Sequence, residues 1–515
     1  MKKCYLLSAE EMKSCDRRTT DIFLVPSLVL MERAALCVAE EIEKRFVKGG
    51  KVLIVAGCGN NGGDGIAAGR ILRQHGFAVD FVLIGNREKW TEQMGRQVEI
   101  AEKYGCLMQS KIENEEYDIV VDALFGIGLS KKAEGAFAEC IGKINAMKAF
   151  VCSVDIPSGI HADTGEVMGA AVEAELTVTF AYAKLGHMLY PGCMYAGELV
   201  IRDIGITEDG FGGRMPKVYT FRQEIKEGMP KREKSGNKGT FGKVLVIAGS
   251  LNMSGASELC AKSVYRVGAG MVKVVAPEEN RIILQSDVPE ALLTTYSSGE
   301  QTDLEEIKQK LEKDMEWADC IVAGPGIGKN SEAVFLVKQV LSGTEKPLVL
   351  DADGLNLLAG SAELKEALVK REGPVILTPH VAECARLYGC TTEEMKKSLF
   401  TKPRELADRW NCVVVCKDAR TVVAFPKEEM LYLNTTGNDG MAAAGSGDVL
   451  AGMITGLLAQ GMEAGEAAAF GVYLHGTAGD CAAACTGKYA VMAGDLVEQL
   501  KYILEGNRNG KGTEK

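Results

Sequence analysis

A short β-branched run closed by glycine occurs twice in the chain: residues 51–57 read KVLIVAG and residues 243–249 read KVLVIAG. An uninterrupted apolar run of this length, with a charge ahead and glycine behind, suits a strand buried on both faces in a parallel sheet and feeding a ligand loop. The residues after the two runs differ: CGNNGGDGIAAGRIL succeeds the first, SLNMSGASELCAKSV the second. The element recurs but the chemistry does not, so the 515 residues read as two α/β domains rather than a repeated unit.

Around these runs, strands are expected over 52–56, 79–84, 119–122 and 151–155. A second set is expected over 244–248, 271–275, 320–323, 348–350, 375–377 and 413–416. Helical patterns such as 32–45, 66–75 and 449–459 alternate with them, which indicates parallel, doubly wound sheets in both halves. The polar stretch 223–240 (QEIKEGMPKREKSGNKGT) separates the halves. The expected domains are 1–222 and 233–505, with a linker over 223–232 and a frayed tail over 506–515.

Several function classes are excluded. Lys plus Arg number 59 against 70 Asp plus Glu, a net charge of −11, which argues against broad nucleic-acid binding. A phosphorylated small molecule stays open, because helix N-termini hold phosphate without basic side chains. No apolar stretch approaches the length of a membrane span, and the apolar segment at 4–7 is too short for a secretory signal. The 16 cysteines form no CxxC pair, so zinc and a disulfide framework have little support and a reducing cytoplasm fits. Cys481 and Cys485, at helical spacing near His475, read as packed core thiols.

Glycine is enriched, 59 residues in all against the usual ~7%, and the glycines cluster beside the apolar runs. The loop 57–65 (GCGNNGGDG) contains GxGxxG, but no acid closes the next strand, so a standard hydride-transfer site is disfavoured. The denser feature is Asn60-Asn61-Gly62-Gly63-Asp64-Gly65, which reads as a ligand loop in preference to a tight turn with an Asp cap. Two further strand ends converge on the same edge: Asp122 opens DALFGIG and Asp155 opens DIPSG. Asn61, Asp122 and Ser158 are hard oxygen donors suited to an alkali or alkaline-earth cation.

In the second half, Gly445-Ser446-Gly447-Asp448 runs directly into a helical pattern, offering unpaired N–H groups and a positive dipole end to a phosphate. Asp448 then stands where a general base towards a substrate hydroxyl is needed. Segments at strand ends add GPGIG (324–328), DADGLN (351–356), TPHVAE (378–383) and KDART (417–421).

NNGGDG, DALFGIG and DIPSG followed by HADTG resemble the N-terminal epimerase domain of the NAD(P)H-hydrate repair enzymes, the YjeF-related group. The resemblance implies that Asn60, Asn61, Gly62, Gly63 and Asp64 contact the hydrated nicotinamide coenzyme. The same holds for Gly126, Ile127, Gly128, Leu129, Ser130, Lys131, Lys132 and Asp155. It implies K+ on Asn61, Asp122 and Ser158, and Asp155 is the candidate acid/base that interconverts the R and S hydrates. The family's LMENAG reads LMERAA at 30–35.

GSLNMSGA (249–256), RVGAGMVKV (266–274) and the later loops resemble the ribokinase-like dehydratase half of the same enzymes over most of 233–500. By that resemblance Ala256, Gly326, His380 and Asp448 contact the hydrate. Lys417, Asp418, Ala419, Arg420, Thr421 and Gly447 contact the adenine nucleotide, which Mg2+ accompanies. MATGGTGD reads MAAAGSGD at 441–448, which would strain the loop if Ala444 took a positive φ, and HKG reads NKG at 237–239.

The implied fold is α/β with two domains, an N-terminal Rossmann-like doubly wound sheet and a C-terminal ribokinase-like α/β sheet. The implied activity is bifunctional. One half epimerises NADHX and NADPHX; the other dehydrates the S epimer at the expense of ADP or ATP through a phosphorylated intermediate. A cytoplasmic homo-oligomer without nucleic-acid or membrane partners is expected. The rival readings are a ribokinase-like small-molecule kinase fused to a cofactor-binding module, and a scaffold protein.

Overall fold

The computed structural model describes residues 2–113, 116–222, 224–299 and 302–505; the tail expected to fray, 506–515, lies outside them. The chain divides into two compact units. One is Tyr5–Val218; the other runs from Tyr219 and includes residues 2–4. The division thus falls four residues ahead of 222. The stretch read as a linker packs within the second unit: Ile225–Gly228 form a helical turn, a Cβ on Gly228 would strike the Phe470 ring, and the Arg232 guanidinium lies over Phe241.

The first unit holds a seven-stranded sheet in the order Met108–Gln109, Ala78–Leu83, Lys51–Ala56, Ile119–Ala123, Phe150–Val154, Leu176–Phe180, Glu198–Arg202. Every pairing is parallel. The strand 51–56 is apolar at consecutive positions because both faces are covered: Val52 and Ile54 face one buried cluster, Leu53 and Val55 the other. The chain fills one side of Lys51–Ala56 first and then the other, so the strand order reverses between it and Ile119–Ala123. Ligands bind open α/β sheets at such a reversal, outside the carboxyl ends of the strands.

The second unit repeats the plan with Leu292–Tyr296, Met271–Pro277, Lys243–Ile247, Cys320–Ala323, Leu348–Leu350, Val375–Leu377 and Val413–Cys416, all parallel. The expectation of a wholly parallel sheet does not hold here. Val422–Ala424 and Leu431–Leu433 continue it antiparallel, because the five-residue connection 417–421 allows only a hairpin return. The strand order again reverses beside Lys243–Ile247, at Cys320–Ala323.

Candidate active sites

The helix after Lys51–Ala56 spans Asn60–Gln74, so it starts six residues ahead of the expected Ile66, and the loop is only 57–59. The glycines explain why the chain can turn so sharply. A Cβ on Gly57 would lie 2.0 Å from the Leu124 carbonyl oxygen, and one on Gly62 would lie 2.2 Å from that of Gly57. Gly62 and Gly63 are therefore buried packing positions, and neither is among the residues that line the cavity. The N-cap, Gly59, offers no side chain, which leaves first-turn N–H groups without a side-chain acceptor.

A cavity of about 860 Å³ opens there. Asn60, Asn61 and Asp64 line it from this helix, residues 126–131 from the loop after Ile119–Ala123, and Asp155 from the end of Phe150–Val154. Lys132 does not; it packs towards Gly169. Asp122 and Ser158 lie beneath the wall. Asp122 accepts from Ser158 N–H and Ser153 Oγ, each at 2.8 Å, and from Leu124 N–H at 3.3 Å. Asn61 Nδ2 donates to the Phe125 carbonyl at 3.0 Å, and Ser158 Oγ to the same oxygen at 3.3 Å. Two of the three candidate cation ligands, Asn61 and Ser158, thus meet at one carbonyl, and Asp122 is joined to them through the Ser158 N–H.

Asp155 adopts φ +66°, a backbone conformation that costs energy outside glycine. Three contacts hold it there. Lys184 Nζ donates to its Oδ1 at 2.5 Å and Thr179 Oγ1 at 3.0 Å. His187 Nδ1 accepts the Lys184 N–H, so its Nε2 carries the proton and donates to the Asp155 carbonyl at 2.9 Å. Burial opposes the charge on Asp155, but the adjacent ammonium outweighs it and holds the carboxyl below its ordinary range.

Two more carboxyls line the cavity in different states. Burial, then the charge of Asp155, pushes Asp16 up to about 6. Burial with Asp155 and Asp16 carries Asp64 well above the usual range. Asp16, Thr179, Lys184 and His187 belong to none of the motifs that mark the site in the sequence. The strand Leu176–Phe180 is not among those expected, so the AYAKLGH segment after it has no place without the fold. The signal for Asp16 is its spacing of four from Met12 and Thr20 on the helix Ala9–Asp21, all three facing the cavity.

In the second unit the expected residues gather at five strand ends. A Cβ on Gly326 would lie 2.8 Å from that of Ala256. Gly328 N–H donates to Asp353 Oδ2 at 3.0 Å. Lys417 Nζ donates to Asp351 Oδ1 at 2.8 Å, and a Cβ on Gly447 would lie 3.2 Å from that nitrogen. His380 bridges in parallel to Lys417. It caps the helix Val381–Tyr388 through Nδ1 and leaves its ring half exposed. Residues 417–421 form the hairpin connection, where Thr421 Oγ1 donates to the Asp418 carbonyl at 3.2 Å and Ala419 N–H to Asp418 Oδ1 at 2.9 Å. Arg420 reaches the Thr435 carbonyl from the same turn.

The helix Ser446–Ala459 starts from Gly445 in the left-handed region, φ +89°, with no side-chain cap. Ala444 does not take a positive φ, so the expected strain falls on a glycine instead. Asp448 sits in that first turn, and burial followed by the charge of Asp351 pushes its carboxyl up to about 7. His475 Nε2 lies 2.9 Å from the Ser446 carbonyl, and burial lowers its pKa to about 4, so it supports the turn as a neutral ring. Cys485 is exposed and Cys481 half-buried, so neither is a core thiol. No group of three His, Cys, Asp or Glu suited to a metal occurs among the described residues, and none of their helices is long and apolar enough to cross a membrane.

Residues 244–501 match the family described as NAD(P)H-hydrate dehydratase, and residues 27–186 match that described as YjeF-related protein N-terminus. The bifunctional NAD(P)H-hydrate repair enzyme Nnr of Moorella thermoacetica is 39% identical, covering 97% of this chain and 96% of that protein. Its namesake from Escherichia coli is 31% identical over 96% and 93%. A solved structure of the Bacillus subtilis ADP/ATP-dependent NAD(P)H-hydrate dehydratase, co-crystallised with ATP and Mg2+, is 30% identical. It covers 55% of this chain and 95% of that one with a TM-score of 0.47.

Proposed function

Because the chain belongs to the bifunctional NAD(P)H-hydrate repair enzymes, we propose that its first unit interconverts the R and S epimers of hydrated NADH and NADPH. The second unit dehydrates the S epimer at the expense of ADP or ATP. The observation that carries this reading is the uncapped start of Ser446–Ala459, where Asp448 stands in the first turn and the Lys417 ammonium lies beside Gly447.

The chemistry is dictated by the hydrate. Hydroxide on C6 of the reduced ring is a poor leaving group. Asp448 accepts the proton of that hydroxyl as its oxygen attacks the terminal phosphorus of the nucleotide, and the bridging P–O bond breaks to release AMP from ADP or ADP from ATP. The first-turn N–H groups and Lys417 meet the charge on the transferring group. Phosphate then departs with the C6–O electron pair, driven by the lone pair of the ring nitrogen. Loss of a C5 proton closes the C5–C6 double bond and restores the dihydronicotinamide. Ala256, Gly326 and His380 hold the hydrate, and residues 417–421 the nucleotide. Mg2+ would come bound to the phosphates and offset their charge. Asp351, Asp353 and Asp448 form no metal cluster by themselves, but their carboxylates are hard oxygen donors of the kind a phosphate-bound Mg2+ would take.

In the first unit Asn60, Asn61, Asp64 and residues 126–131 hold the hydrate, and Asp155 moves a proton at its C6 oxygen. Asn61, Asp122, Ser158 and the Phe125 carbonyl are oxygen donors of the kind K+ takes, and a K+ held there would supply positive charge beside the loop after Ile119–Ala123. We place the enzyme in the cytoplasm as a homo-oligomer.

The test is incubation with racemic NADH hydrate and ADP or ATP. Recovery of 340-nm absorbance with both epimers consumed supports the reading. A stable phosphorylated product, the mark of a small-molecule kinase, overturns it.

A further inference from the structure

Epimerisation at C6 needs a proton delivered and a proton removed. The oxygen must leave C6 as water on one face, and water must add on the other. A single carboxylate fixed on one wall serves one face. Asp155 is such a group, held by Lys184 Nζ and Thr179 Oγ1.

The cavity supplies a second carboxyl from a different element. Asp16 projects from the helix Ala9–Asp21 into the same space, flanked on that face by Met12 and Thr20. No hydrogen bond or ion pair engages its carboxyl among the described residues, although it is close enough to Asp155 and Lys184 to feel both charges. Asp16 is half-buried, so its unpartnered carboxyl faces the cavity and stays open to a ligand there. The two groups also differ in proton affinity. The ammonium lowers that of Asp155, whereas burial and the Asp155 charge push Asp16 up to about 6. Two carboxyls pushed apart by their environments are the usual form of an acid/base pair.

We propose that Asp16 is the second proton-transfer group of the epimerase site, acting as the acid when Asp155 acts as the base. This rests on the first unit being an epimerase. In the forward step the N1 lone pair forms N1=C6 while the C6–O bond breaks, its electron pair leaving on oxygen. The Asp16 proton goes to that oxygen and water departs. Water adds to C6 from the other face, the N1=C6 pair returns to N1, and the added water's proton passes to Asp155. The reverse step exchanges the two roles.

The experiment follows single-epimer NADH hydrate in H₂¹⁸O without nucleotide, using the full chain and its Asp16→Asn, Asp16→Glu and Asp155→Asn variants. Wild type is expected to incorporate ¹⁸O in step with epimerisation. Asp16→Asn is expected to lower kcat roughly 10²–10⁴-fold with the KM for hydrate little changed, and Asp16→Glu to restore most of it. Dehydration of the S epimer with ADP stays intact in each, and a thermal unfolding profile of the full chain unchanged from wild type shows that the first unit keeps its fold. Wild-type kcat in Asp16→Asn, a loss confined to KM, no rescue by glutamate, or epimerisation without ¹⁸O exchange overturns the assignment. If Asp155→Asn abolishes epimerisation while Asp16→Asn does not, only this inference fails. If wild type does not epimerise the hydrate, the reading of the unit fails with it.

Discussion

Lys417 Nζ donates to Asp351 Oδ1 at 2.8 Å, a pair in which the aspartate side chain is 1% exposed and the lysine 19%. The pair stands beside Asp448, and its two members act on Asp448 in opposite directions: Asp351 raises its proton affinity and Lys417 lowers it. Since Asp448 serves as the base, kcat/KM for dehydration should rise with pH through about 7 and level off above it. Asp351→Asn removes the negative neighbour and leaves the ammonium, so the inflection should move down by roughly one unit or more. A pH–rate profile of both proteins checks this; an unmoved inflection would show that another group controls the rate.

Asp448→Asn should lower dehydration by roughly 10²–10⁴-fold without touching epimerisation. Its stability effect has a definite sign. A carboxyl whose folded pKa is raised to about 7 disfavours the fold progressively as pH climbs from its unfolded value near ~4 to that point. The asparagine variant should therefore match wild type near pH 4 and be at least as stable at pH 8. Urea unfolding at the two pH values measures it.

The legible parts of this chain are those where local chemistry and global position coincide. The strands 320–323, 348–350, 375–377 and 413–416 match their expected bounds, because a strand covered on both faces must be apolar at every position. Asn60–Asp64 reads as a loop in the sequence and is helical in the fold. Glycines that usually signal a loop occur here inside a helix, where Gly62 lets it approach the Gly57 carbonyl and Gly65 lets it approach Ala123. Lys184 comes after a strand ending in the unremarkable TVTF, and Asp16 offers only its spacing of four from Met12 and Thr20 on an ordinary N-terminal helix, which names no site until the cavity is known. Only the fold brings them to Asp155.

Lys184 is 1% exposed at its side chain, and Asp155 is its one acidic partner among the described residues. Lys184→Met should strand a buried carboxylate and destabilise the first unit by about 3–5 kcal/mol, and Asp155→Asn added to it should recover part of the loss. With Asp155 held below its usual pKa, the pair's contribution is fully present above about pH 4 and fades as pH falls further. Unfolding of the full chain in urea at pH 3 and pH 7 tests both statements. A double variant no more stable than Lys184→Met would mean that lost packing, not the stranded charge, sets the cost.

Replacing K+ by Li+ should reduce epimerisation several-fold and leave the dehydration of pure S epimer less affected. Asp122→Asn, which weakens a fully buried acceptor of three hydrogen bonds, should remove that cation dependence. Equal rates in both salts would remove the cation from the first unit.

Gly57 and Gly59 bracket the turn into the helix Asn60–Gln74, yet they should respond differently to alanine. At Gly57 the new Cβ would press on backbone, 2.0 Å from the Leu124 carbonyl oxygen, where neither strand end can give way. The cost should reach the upper part of the ~1–3 kcal/mol typical of overpacking, or exceed it. At Gly59 a Cβ meets nothing within 4 Å, so stability should change by no more than about 0.5 kcal/mol. That space belongs to the cavity wall. Gly59→Ala should therefore raise the KM for hydrate in epimerisation while thermal unfolding stays put. An unaltered KM would mean that no ligand approaches the helix start.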